Sequence, residues 1–192
     1  QRLEGGQPVD SHIIPKWLYR GLEYDGKPFR YKTINTNVEI KNRKGQGGIK
    51  EPLLCPRCDN EIIGKLESYA RPVISCKSPP TKKHIANNFI QFASLDYTKL
   101  KLFFLSILWR ASVSSSPEFK HVILGSKHEN RISSMLLNGD AGRFNDYSFI
   151  ITLVKFGAED FDGIIMMPDK LRLDGYLCYR FLFERMLVVY GV

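Results

Sequence analysis

Two cysteines three positions apart, in Cys55-Pro56-Arg57-Cys58, have a type and spacing that can do chemistry. A Cys-x-x-Cys pair that opens onto a helix presents two thiolates to a tetrahedral zinc ion, and forms half of a closed structural site. Pro56 and the helical stretch beyond it favour zinc over two ordinary cysteines in a turn. Asp59 follows at once. It reads either as a helix-capping carboxylate or as an oxygen ligand for a hard cation such as Mg²⁺ or Mn²⁺. Upstream, Asp10-Ser11-His12-Ile13-Ile14-Pro15 carries an imidazole that reads as a general base, a zinc ligand or a surface group. Between the two lies KNRKGQGGIK, with Lys41, Arg43, Lys44 and Lys50; Arg57 sits inside the cysteine pair. Such a run is often only a solvated face, but its place between His12 and Cys55 favours contact with phosphate. Cys76, Cys178, His84 and His121 have no partner at ligand spacing.

Charge supports that emphasis. The 192 residues carry a formal net charge of +8. The excess is uneven: residues 1–99 hold 17 Lys and Arg against 10 Asp and Glu, while residues 100–192 hold 11 against 10. A basic half joined to a near-neutral half implies a polyanionic partner, either nucleic acid, with DNA expected over RNA, or an anionic membrane surface. No uncharged apolar run approaches the length that crosses a bilayer, so no membrane association is expected. The residues from Gln1 onward show no charged region followed by an apolar run, so no signal peptide is expected in them. Four cysteines are too few for a disulfide scaffold, which makes a reducing, cytoplasmic location the default expectation.

The elements that must position these groups follow from pattern. Pro15 opens a short amphipathic segment, Lys16 to Leu22. Residues 29–34 (FRYKTI) alternate as a strand, and 37–40 pair with it. Asp59 to Tyr69 reads as a helix stopped by Pro72, with Glu61 and Glu67 on its solvated side, and 76–88 as a linker or exposed loop. Asp96 caps a helix that is apolar nearly all round, which makes it central; Trp109 and Arg110 on it read as core plus a buried, hydrogen-bonding arginine. Ser126-Lys127-His128-Glu129 spells a capping box for a helix that ends at Gly139. Apolar β-rich runs at 147–156, 163–167 and 175–190, the last broken near Glu184-Arg185, complete an α+β chain. The motifs divide it into a metal-binding module, residues 1–75, and an accessory domain, residues 76–192, of two or more helices and an antiparallel sheet. That second domain is suited to selecting a protein partner, a substrate or a second copy of the chain.

The order His-Ile-x-Pro, a hairpin-length gap, then Leu-Cys-x-x-Cys and a polar residue resembles the HNH endonuclease motif on its treble-clef (ββα-metal) scaffold. It is most similar to a group of uncharacterised bacterial HNH-like proteins through Ser11 to Lys16, Gln46 to Cys55 (one glycine longer here) and Leu105 to Ser112. The resemblance implies metal-dependent hydrolysis of a phosphodiester, with His12 as general base, Cys55 and Cys58 on a structural Zn²⁺, and Asp59 on a catalytic Mg²⁺ or Mn²⁺. It also implies that a first Cys-x-x-Cys precedes Gln1. Small proteins of this kind serve as effectors of bacterial anti-phage systems. Others are inactive zinc-stapled scaffolds that bind nucleic acid or a partner. Three positions depart from the motif. Asp59 replaces the usual histidine, Ser11 replaces an acid or histidine, and no asparagine lies between Lys50 and Leu54 to orient the base, leaving Gln46, Asn37 or Asn35 as substitutes.

Overall fold

A computed structural model of the chain describes residues 7–22, 47–75, 82–85, 89–92, 94–154, 165–183 and 185–192. The strands expected at 29–34 and 37–40 lie outside the described residues, as do Lys41, Arg43 and Lys44. The chain is α+β. Among the described residues it has three α-helices and two antiparallel sheets, together with a further strand pair, β1 (Val9–His12) with β2 (Lys50–Leu54). The chain forms two compact units. One unit comprises Gln1–Ser11, Pro52–Val113 and Ile123–Asp146; the other comprises His12–Glu51, Ser114–Val122 and Tyr147–Val192.

The first unit is built on α2 (Tyr97–Val113), in which every residue from Leu100 to Ala111 is buried. A helix apolar all round needs neighbours on several sides. It has them in α1 (Gly64–Ile74) and α3 (Ser126–Asn138). These are amphipathic and turn Leu66, Ala70, Ile132, Met135 and Leu136 inward. Asp96 caps α2 as expected, its Oδ1 accepting from the Lys99 amide at 3.0 Å. Gly139 closes α3 in the left-handed conformation at φ 66°, as its position predicts.

Three expectations change here. Pro72 does not stop α1, which runs two residues past it; a proline in the last turn removes a single amide bond, and Ser75 still donates to the Arg71 carbonyl at 2.9 Å. The expected linker or loop, 76–88, contains β3 (Lys82–Ile85), which pairs antiparallel with β4 (Phe89–Phe92) just beyond it, from Lys82↔Phe92 to Ile85↔Phe89. The capping box does not form. Gly125 (φ 77°) occupies the N-cap, and the Glu129 carboxylate instead accepts from the Ser112 hydroxyl on α2 at 2.7 Å. A hydroxyl presented by a neighbouring buried helix has displaced the local cap.

The second unit holds a four-stranded antiparallel sheet in the order β5-β8-β7-β6, where β5 is Phe149–Leu153, β6 Ile165–Leu173, β7 Tyr176–Phe183 and β8 Met186–Gly191. Met186, Val188 and Tyr190 alternate inward along β8, with Phe181 edge-on to Tyr190 at 5.3 Å. Asp174 and Gly175, both at positive φ, make the two-residue turn of the β6–β7 hairpin. The run expected to end at Met167 continues to Leu173 because β6 is an edge strand. There Pro168 falls in a bulge, where the register steps from Met166↔Leu182 to Asp169↔Arg180. The predicted amphipathic segment after Pro15 is a 3₁₀ helix, Lys16–Leu22.

Candidate active site and metal centre

His12 ends β1, half-buried, in the second unit. Its Nε2 lies 2.9 Å from the carbonyl oxygen of Gly47. A carbonyl only accepts, so Nε2 carries the proton and the lone pair of the neutral ring falls on Nδ1. The approach depends on the two glycines of Gln46-Gly47-Gly48-Ile49. Both have positive φ, at 80° and 98°, and a Cβ on Gly48 would fall 2.9 Å from Cε2 of the buried Tyr19 and 3.3 Å from Cδ2 of His12. The Ile13 amide donates to the Ile49 carbonyl at 3.1 Å and fixes the segment against the strand end. The orienting group is therefore a backbone carbonyl. No side chain announces such a group; the signal in the sequence is the extra glycine.

Beside this loop a polar cavity of about 370 Å³ is bordered by Gly48, Lys50, Glu51, Ser115, Ser116 and Glu118. Glu51 accepts from both the amide and the hydroxyl of Ser115 at 3.0 Å, and Ser116 donates to Glu118. Lys50 is exposed.

In the first unit, Cys55 and Cys58 are 5% and 0% exposed. The Cys58 amide donates to Cys55 Sγ at 3.4 Å, and the Asp59 amide to the Cys55 carbonyl at 3.0 Å. The chain thus bends back on the first sulfur as it enters the helix. An amide aimed at sulfur is a contact that would stabilise a thiolate in that position. The first turn after the pair is a π-helix, Cys58–Ile63, in which Gly64 N–H reaches the Asp59 carbonyl. Asp59 is half-buried, while Arg57 is exposed and pairs with Glu61 at 3.6 Å. No protein-family model, no curated protein and no solved structure matches the chain.

The structure thus brings Cys55, Arg57, Cys58 and Asp59 onto one turn, and His12 and Lys50 onto the ends of β1 and β2. Among the described residues no three His, Cys, Asp or Glu side chains converge as a metal-ligand group. Glu61 is exposed as expected, but Glu67 is not the solvated residue its place in the helix implied. It is 24% exposed and binds Arg110 Nη1 at 3.1 Å, while the 1%-exposed guanidinium also donates to the carbonyl and hydroxyl of Ser106. Burial raises the Glu67 carboxyl above its ordinary value; Arg110 opposes that rise and the charge of Asp59 adds to it. Arg110 is the buried, hydrogen-bonded arginine that the apolar helix predicted.

Proposed function

We propose that the protein is a metal-dependent endonuclease of HNH type, cleaving nucleic-acid phosphodiester bonds with His12 as general base. The carrying observation is the lock on that ring. A carbonyl at 2.9 Å on Nε2 leaves Nδ1 as the basic nitrogen of the neutral imidazole, which is the state a base needs before it takes a proton from water. The two cysteines, with an amide aimed at the first sulfur, fit half of a structural zinc site on a treble-clef module. Asp59 is an oxygen donor one residue on, the type a hard catalytic cation prefers. A magnesium or manganese ion would stabilise charge on the phosphate when bound. Lys50 and Arg57, both exposed, supply cations for the backbone of the substrate, with Lys41, Arg43 and Lys44 assigned the same role from sequence. DNA is the favoured substrate and an anti-phage effector role the favoured context.

A second reading has its own support. Glu67, whose carboxyl feels the charge of Asp59, is committed to Arg110. On that account the module is a zinc-stapled, catalytically silent scaffold that binds nucleic acid or a protein partner. One experiment separates the two. Purified protein with Mg²⁺ or Mn²⁺ nicks supercoiled plasmid and His12→Ala does not, if the first reading holds. Equal nicking by the variant refutes His12 as base. Salt-sensitive binding with no nicking by either protein establishes the second reading.

A further inference from the structure

Exposed aromatic side chains on rigid backbone are uncommon, and Phe144 is one: it is 73% exposed at the tip of the loop that follows α3. Its ring stacks on Tyr97, itself 38% exposed at the start of α2, with centroids 5.9 Å apart and planes 25° from parallel. The loop beneath is tightly built. Gly142 N–H donates to Asp140 at 2.8 Å, Arg143 N–H to Asp146 at 3.0 Å, and Asp146 N–H to the Arg143 carbonyl at 3.1 Å. Arg131 pairs with Asp146 at 2.8 Å. Lys101, buried on α2, reaches up to donate to the Arg143 carbonyl at 2.7 Å. Burial pushes the Lys101 ammonium below its ordinary value, so pinning this loop uses a cation that is costly to desolvate. The carboxylates at this end are engaged: Asp96 with Lys99, Asp146 with Arg131, and Asp140 with the loop amide. Arg143 is exposed, and its guanidinium meets no carboxylate among the described residues.

We propose that Phe144, backed by Tyr97 and flanked by Arg143, is a stacking platform for a base of single-stranded nucleic acid. Two rings 5.9 Å apart leave no room for a base between them, so the base lies on the outer face of Phe144. Arg143 takes the adjoining phosphate. An exposed ring face whose neighbour in the chain is an exposed arginine matches a π-surface joined to an anion. A duplex hides its base faces and gains only the arginine contact. This inference rests on the nucleic-acid reading above, but not on its chemistry.

The test measures binding of the full-length chain, in the His12→Ala background with no Mg²⁺ or Mn²⁺ added. Its probes are fluorescein-labelled oligo-dT and oligo-U 20-mers and a DNA duplex of equal length. Phe144→Ala weakens the single-stranded probes about tenfold, Phe144→Trp restores them, and neither changes duplex affinity more than about twofold. Arg143→Ala weakens all probes and lowers the salt slope by about one. Ile123→Ala, which removes another exposed apolar side chain, changes nothing. The DNA and RNA arms identify which strand the platform prefers. No single-strand binding, equal affinity in Phe144→Ala, or equal loss on duplex overturns the proposal. So does a dimer that Phe144→Ala dissociates in sedimentation without altering oligonucleotide affinity. Plasmid nicking judges His12 separately, so either conclusion can fail alone.

Discussion

Replacing Gly48 with alanine tests the site at its most constrained point. Gly47 and Gly48 both have positive φ, so alanine is strained at either position, by roughly 1–2 kcal/mol. They differ in what a Cβ meets. At Gly47 the nearest atom is the flexible Cε of Lys16 at 3.8 Å; at Gly48 it is the ring of buried Tyr19 at 2.9 Å, with His12 Cδ2 at 3.3 Å. Overpacking of that kind adds about 1–3 kcal/mol. With each kcal/mol worth about 2–4 °C in a chain of this size, Gly47→Ala lowers Tm by about 4 °C and Gly48→Ala by about 10 °C. The loop yields rather than the buried Tyr19 ring, so Gly48→Ala also draws the Gly47 carbonyl off Nε2. Thermal unfolding followed by tryptophan fluorescence gives the first quantity. Long-range ¹H–¹⁵N NMR of the His12 ring gives the second, as mixed protonation of the two nitrogens in place of the Nε2–H form. Equal Tm losses in the two variants, with an unchanged His12 tautomer in Gly48→Ala, would refute the close-approach argument.

Other outcomes are equally specific. Glu67→Ala strands the buried Arg110 guanidinium and costs about 3 kcal/mol by urea unfolding, reduced from the fully buried case because Glu67 is partly exposed; Glu67→Leu with Arg110→Met recovers most of it. The Glu67 carboxyl lies above its unfolded value, so its protonation favours the folded state. Wild type therefore gains stability relative to Glu67→Gln as pH falls through the folded value towards 4.5, and a gain in the opposite direction disproves the burial argument. Under the zinc reading, the purified chain holds one zinc by elemental analysis, and Cys55→Ser and Cys58→Ser each lose it; retention in both variants rules these cysteines out as ligands. Lys101→Met removes the pin on the Phe144 loop, so hydrogen exchange of the Arg143 and Asp146 amides accelerates while α2 stays protected.

The parts of the fold that one local signal determines were readable from sequence. α2 is apolar on every side and had to be central; Gly139 could close a helix in the left-handed region where other residues pay for it; Asp96 reaches its own helix amide. The misread parts were those where a distant residue outbids a local one. Ser126 and Glu129 spell a capping box, yet Ser112 of α2 takes the Glu129 carboxylate. Glu67 occupies a helix position that reads as solvated until Arg110, 43 residues away, reaches it. At the proposed site, His12, Cys55, Cys58 and Asp59 could be singled out from sequence because chemistry restricts which residue types can serve. The Gly47 carbonyl was not, because every residue has one and only the folded loop selects which is used.

The wide turn at Cys58–Ile63 ties two regions together by register. A π-turn is an α-helix with one residue too many, and each residue turns a helix by about 100°. Deleting a single residue there would restore regular winding and leave Cys58 and Asp59 facing as they do now relative to Glu67, which is anchored to Arg110, whereas inserting one would swing them by about that angle. The segment should therefore accept loss of one residue far more readily than gain of one.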